Sequence, residues 1–147
     1  MKTSCVAIAI LVTVCGALAE EPALKVPGAY LDAMETGNLE AAGRLFAAES
    51  SVFESGGQEG TWAHYREHHL GPEIGQIESF QVIRGTPEIE YSGDHTMAFV
   101  AWPIEYEILL KDERHIESKG TVTFVLTGES GKYRIRHLHW SSRRKKS

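Results

Sequence analysis

The chain has 147 residues, with 15 Lys and Arg against 20 Asp and Glu, 7 His and 2 Cys. At 42% hydrophobic and 24% charged it has the size and composition of one globular domain, not of a disordered or collagen-like chain. A formal charge of -5 speaks against general nucleic-acid binding, and two cysteines build neither a four-cysteine zinc site nor a disulfide-dense scaffold.

Lys2 precedes an apolar run from Cys5 to Cys15, followed by Ala17-Leu18-Ala19. A basic start, a short apolar stretch and an A-x-A site predict a signal peptide over residues 1–19, cleaved after Ala19. The run is shorter than the roughly 20 residues a spanning helix needs, so no transmembrane span is expected. An uncleaved anchor is the competing reading, and Val14 is bulky for a lipoprotein site at Cys15. Cleavage predicts a periplasmic or secreted protein that has lost Cys5 and Cys15, and with them all thiol chemistry. His, carboxylate, Tyr and backbone groups are left.

Residues 20–27 lead into a first helix, on which Val26, Tyr30, Ala33 and Met34 recur at helical spacing until Gly37 stops it. Asn38 caps a second helix, with Leu39, Ala42, Leu45 and Phe46 on one face and Glu40 in its first turn. Ser51 to Glu54 reads as a short strand ended by Gly56-Gly57. Thr61 caps a third helix, Trp62 to Leu70, closed by Gly71-Pro72.

The period then changes to two, weakly over 80–84 and cleanly over Ala98, Val100, Trp102, Ile104, Tyr106, Ile108 and Leu110. Lys111 to Arg114 turns the chain into Ile116, Ser118, Gly120, Val122, Phe124 and Leu126. Gly128 to Gly131 makes a hairpin loop into a last strand from about Lys132 to Ser141. The domain thus spans 20–142, and 143–147 reads as a frayed basic tail, either solubilising or touching anionic lipid or polysaccharide. Three helices followed by a long meander predict an α+β fold, in which a strongly curved antiparallel sheet packed on the N-terminal helices forms a cone with an internal pocket.

Glu35-Thr36-Gly37-Asn38-Leu39-Glu40, through Leu45-Phe46-Ala47 to Phe53-Glu54, resembles the opening of nuclear transport factor 2-like, or cystatin-like, domains. The stretch from Gly131 through Tyr133, His137 and Trp140 to Ser141 is similar to their closing strand. The likeness is to the version in small exported bacterial SnoaL-like proteins and in the association domain of calcium/calmodulin-dependent protein kinase II. It implies a range of activities from ketosteroid isomerases, dehydratases and polyketide cyclases to non-catalytic binders and oligomerisation modules; a homodimer is expected where inward histidines would leave Leu138 and Trp140 exposed as its interface. Fold does not select among these.

His64 and His68, four apart, share a helix face and can either chelate a metal or stand solvated, whereas His69 falls between Trp62 and Tyr65 toward the sheet. His137 and His139 alternate with Leu138 and Trp140, so unbroken parity points both histidines inward. A bulge would reverse this and put Trp140 in the pocket. Glu54 ends its strand and reads either as a general base at the pocket wall, with its carboxyl raised by burial, or as a surface Glu or helix-cap partner. Tyr65 and Tyr106 can each donate to a carbonyl, as Tyr does in the resembling isomerases, but their paired Asp residues have no clear counterpart.

These readings combine into a pocket for an unidentified small molecule, with no cofactor. Glu54, His69 and His137 would supply acid–base chemistry on a carbonyl-containing ligand, and Trp62, Tyr65, Trp102, Tyr106 and His139 would line the site. The competing readings are a copper or zinc site on His69, His137 and His139 with Glu54, and a non-catalytic oligomerisation module. There is no Gly-rich phosphate loop, no G-x-S-x-G and no H-E-x-x-H.

Overall fold

The computed structural model describes residues 21–129 and 132–146. The leader read as a signal peptide lies outside the described residues.

Helix α1 (Pro22–Glu35) starts on a proline, whose missing N–H costs nothing in a first turn, and buries Ala23, Tyr30, Leu31 and Met34. Asn38 caps α2 (Leu39–Gly43) by accepting the Ala41 N–H at 2.9 Å. That helix is a single turn. Leu45 and Phe46, expected on its apolar face, instead leave it for a strand, because the Ile135 N–H donates to the Leu45 carbonyl and Phe46 pairs with Ile135.

Strand β1 (Phe46–Glu54) turns through Ser55 and Gly56 into β2 (Gly57–Gly60). The turn residues have φ of 46° and 94°, the left-handed pair that a tight hairpin demands. Thr61 caps α3 (Trp62–Tyr65), accepting the His64 N–H at 3.3 Å. The helix does not close at Gly71-Pro72. It widens into a π-helical turn (Arg66–Leu70) and tightens again as α4 (Gly71–Ile74). The Gly71 N–H reaches back to the Arg66 carbonyl, and a Cβ on Gly71 would stand 2.7 Å from that oxygen, so the widened turn requires glycine.

Five strands follow: β3 (Ile77–Arg84), β4 (Glu88–Tyr91), β5 (Met97–Leu110), β6 (His115–Glu129) and β7 (Lys132–Arg144). The sheet order is β2-β1-β7-β6-β5-β3, with β4 also on β5. This corrects the expected cone in two ways. The sheet is mixed, because β1 runs parallel to β7, and it is open, since the order ends at β2 and β3 with no ladder joining them among the described residues. Periodicity marked the strands of the meander but carries no information on the direction in which β1 joins them. The architecture is an α+β fold: a mixed, unclosed sheet packed against a few helices.

The core lies between helices and sheet. Tyr30 meets Phe46, Trp62 and Phe124 edge-on at 5.7–6.1 Å between ring centres, and Phe46 stacks on Trp62 at 4.5 Å.

A bulge in β7 decides which side chains face this core. Leu126 pairs with Ile135 but Val125 pairs with His137, leaving Arg136 as the extra residue. Tyr133 and Ile135 are buried before it, Leu138 and Trp140 after it. His137 and His139 therefore point away from the helices, against the inward placement that unbroken alternation predicts. Beyond Ser141 the strand continues through Arg144, two residues into the expected tail. Lys145 then donates its N–H to the Glu117 carbonyl and its Nζ lies 2.6 Å from Glu105.

Candidate functional site

Glu54 closes β1 next to the tight turn, which holds its carboxylate facing α3 and the π-helical turn. The Tyr65 hydroxyl donates to Glu54 Oε2 at 2.5 Å. His69, on the π-helical turn, brings Nε2 within 3.6 Å of the same oxygen and 3.4 Å of Glu73, while its Nδ1 lies 3.1 Å from Glu59 Oε2. Three carboxylates from β1, β2 and α4 thus converge on one imidazole. A π-helical turn re-aims side chains within a helix, and such turns recur at functional sites.

Burial, the largest influence on Glu54, pushes its carboxyl above the ordinary value; the Tyr65 hydrogen bond and His69 pull against it, while Glu73 and Glu59 add to the rise. Burial alone would lower His69. The Glu59 hydrogen bond and the charges of Glu73, Glu54 and Glu59 outweigh it and hold the imidazole above its usual value. Tyr65 and Tyr30 are both pushed far up, chiefly by burial, with the charge of Glu54 also acting on each. Both phenols stay protonated, as hydrogen-bond donors.

Glu54, Tyr65 and Glu73 border a pocket of about 70 Å³, whose aromatic walls are Tyr30, Phe80, Tyr106 and Trp140. Tyr30 is 1% exposed, and its hydroxyl lies within reach of the Glu54 charge. The pocket holds a handful of non-hydrogen atoms, well short of the roughly 300 Å³ of a drug-sized site. A larger concavity of about 660 Å³ is an open groove on the far side of the sheet, lined by Pro103, Lys119, Thr121 and Arg143 among others. The smaller pocket is the candidate site, because Tyr30, Glu54 and Tyr65 converge there.

Of the residues expected at the site, the structure brings together Glu54, Tyr65, His69 and Tyr106. Trp62 is core, stacked on Phe46, and its indole N–H lacks a partner among the described residues. Trp102 is elsewhere, donating to the Gly85 carbonyl at 2.9 Å beneath the Arg84 guanidinium. His137 and His139 flank Phe53 on the outward face, and His137 Nδ1 shares a 2.8 Å hydrogen bond with Ser51 Oγ. The bulge thus separates them from His69, and the copper or zinc ligand set is not assembled. No group of three or more His, Cys, Asp or Glu able to hold a metal occurs among the described residues. His64 and His68 are exposed, their ring centres 4.4 Å apart and their planes inclined by 45°.

Sequence reasoning missed Tyr30, Phe80, Glu59 and Glu73. Only Glu73, four residues beyond His69 on a helix, carried a local signal.

No protein-family model matches this sequence, and no curated protein matches it. Solved structures do. A nuclear transport factor 2-like superfamily protein from Salmonella enterica superposes with a TM-score of 0.70 at 20% identity, over 83% of this chain and 89% of that one. A Shewanella frigidimarina protein provisionally named a ketosteroid isomerase gives 0.67 at 21%, covering 83% and 96%. A Xanthomonas campestris protein provisionally named a calcium/calmodulin-dependent protein kinase II association domain gives 0.68 at 15%, covering 82% and 85%. The chain has the nuclear transport factor 2-like fold. No helix among the described residues is long and apolar enough to cross a membrane.

Proposed function

We propose that this protein binds a small carbonyl compound in the pocket beside Glu54 and moves a proton on it, with Glu54 as the base. The observation that carries the reading is the 2.5 Å hydrogen bond from Tyr65 to Glu54 at the pocket wall. It fixes one carboxylate oxygen and leaves Oε1 without a hydrogen-bond donor among the described residues. Oε1 takes a proton from the carbon beside the carbonyl, and the C–H electron pair moves onto the carbonyl oxygen. The Tyr30 hydroxyl, which lines the same pocket, donates to that oxygen as charge develops, and Glu54 then returns the proton.

A carboxyl raised by burial is a stronger base than an exposed one, and the adjacent His69 imidazole, itself held above its usual value, pulls against that rise. The fold shared with a protein provisionally named a ketosteroid isomerase supports this class of chemistry. We also infer that the protein works outside the cytoplasm after loss of residues 1–19. In this reading it is a homodimer through the outward sheet face, where Ile83, Met97 and Phe99 are exposed.

The test is α-proton exchange of acetone and other three- or four-carbon ketones in D2O, followed by proton NMR. The wild type should accelerate exchange, rising with pH as Glu54 ionises, and Glu54→Gln should lose about 100-fold or more. Equal exchange in wild type and Glu54→Gln would overturn the assignment.

A further inference from the structure

Phe80, Tyr106 and Trp140 come from β3, β5 and β7, and their rings stand steeply to one another. Their centres are 5.6–6.3 Å apart and their planes inclined by 49–88°. They form an aromatic corner opposite Glu54 and Glu73, and no Lys or Arg lines the pocket among the described residues. An aromatic face is the negative side of the ring quadrupole. The carboxylates, joined by any ring that turns its face to the pocket, give it a negative potential, with His69 beside Glu54 as the neighbouring positive group.

The ligand classes separate on that potential. An anion is opposed by the carboxylates and the ring faces alike. A neutral molecule gains burial and at most a hydrogen bond to Glu54 or Glu73, without charge attraction. An organic cation gains from the rings through cation–π contact and from the carboxylates through charge attraction, while Met34, Leu70, Ile74, Ile77 and Ile108 contact its alkyl groups. Inorganic cations fit poorly, because the walls offer few oxygen ligands and no metal-holding group is present among the described residues.

The geometry points to a small alkylammonium ion as the group this pocket recognises, held by the Phe80–Tyr106–Trp140 corner and the Glu54 and Glu73 carboxylates. A volume of about 70 Å³ suits a methylated ammonium head and little more. The inference takes from the preceding reading only that the pocket binds a ligand. Joined to proton transfer at Glu54, it makes the substrate class a small amino-carbonyl compound.

Recognition should depend on pH. The titratable groups lining the pocket are Tyr30 from α1, Glu54 from β1, Tyr65 from α3, Glu73 from α4 and Tyr106 from β5, and behind them His69 from the π-helical turn contacts Glu54 and Glu59 from β2. As pH rises through the elevated Glu54 and His69 values, one group gains negative charge and the other loses positive charge, and both changes favour a cation.

The experiment titrates the full chain with tetramethylammonium chloride, and with tert-butanol and sodium acetate at matched ionic strength, following the Trp140 indole N–H by NMR. The cation should bind saturably and at least ~10-fold more tightly than tert-butanol, with affinity rising with pH. Glu73→Gln, at an exposed position that does not threaten folding, should weaken it severalfold. Binding of the cation no tighter than tert-butanol, or preferential binding of acetate, would overturn the inference. Ketone exchange without cation preference would leave Glu54 chemistry standing and remove only the ligand class. Cation binding without exchange would do the reverse.

Discussion

His69 and His137 are both half-buried, and their surroundings pull them in opposite directions. On the helix side, Glu59, Glu73 and Glu54 surround His69 and hold its imidazole above the usual value despite its burial. On the outward face, His137 has Phe53 and Ser51 for company, and burial together with the charge of His139 lowers it. Burial alone therefore says little about what a histidine can do. Which face of the sheet a residue occupies decides whether carboxylates reach it, and for β7 that choice was made by one extra residue, Arg136.

Removing that residue is the most drastic way to break the contrast. Deletion of Arg136 restores simple alternation, turning His137 and His139 toward the core and Leu138 and Trp140 outward. Loss of a buried Trp alone costs about 3–5 kcal/mol, a large part of the roughly 5–15 kcal/mol a domain has. The deletion variant should show no cooperative thermal unfolding. Arg136→Ala keeps the extra residue and replaces an exposed side chain, so its stability should stay within about 0.5 kcal/mol of wild type. A deletion variant that melts like wild type would mean that the bulge does not set the two faces.

The same bulge marks where the sequence stops being legible. Strand β5 could be read directly, because Ala98, Val100, Trp102 and Ile104 are all buried on one side and alternate without interruption. The caps at Asn38 and Thr61 were equally plain, being local hydrogen bonds within three residues. Arg136 carries no such mark, since a bulge is fixed by pairing with β6 and by nothing in its own side chain. The parallel docking of β1 on β7 was hidden for the same reason, and with it the fact that the sheet stays open.

At the site, Glu54, Tyr65 and His69 were accessible because a hairpin and one helix connect them in sequence. Tyr30 and Phe80 reach the pocket from distant elements. Tyr30 also showed an apolar helix position indistinguishable from ordinary core.

A smaller effect sharpens the view of the helix side. Because the folded protein holds the Glu54 carboxyl above its unfolded value of about 4.3, ionising it costs the fold. Its contribution is most favourable below that value and is lost as pH rises through the elevated one. Glu54→Gln, which keeps the shape and removes the charge, should therefore stabilise the protein by about 1 kcal/mol near neutral pH while abolishing exchange, as expected where function is held at the expense of stability. The gain should vanish in acid, below about pH 4. Calorimetric melts across that range would contradict the burial argument if Glu54→Gln were less stable at neutral pH.

The finest test sets the two histidines directly against each other. His69 has a folded value above the unfolded one of about 6.5, so its stabilisation is complete below that pH and fades as pH rises through the folded value. His137 has a folded value below it, so its favourable contribution holds above about 6.5 and is lost as pH falls through the folded value. His69→Gln should accordingly lose stability at about pH 5.5 relative to about pH 8.5, whereas His137→Gln should gain it over the same interval. Both groups are partly exposed, so the changes should be about 0.5 kcal/mol or less and need denaturant titrations at low salt. Their opposite signs are the diagnostic. Variants that shift in the same direction would show that the two faces of the sheet do not differ electrostatically, and that the carboxylates around His69 do not hold its proton.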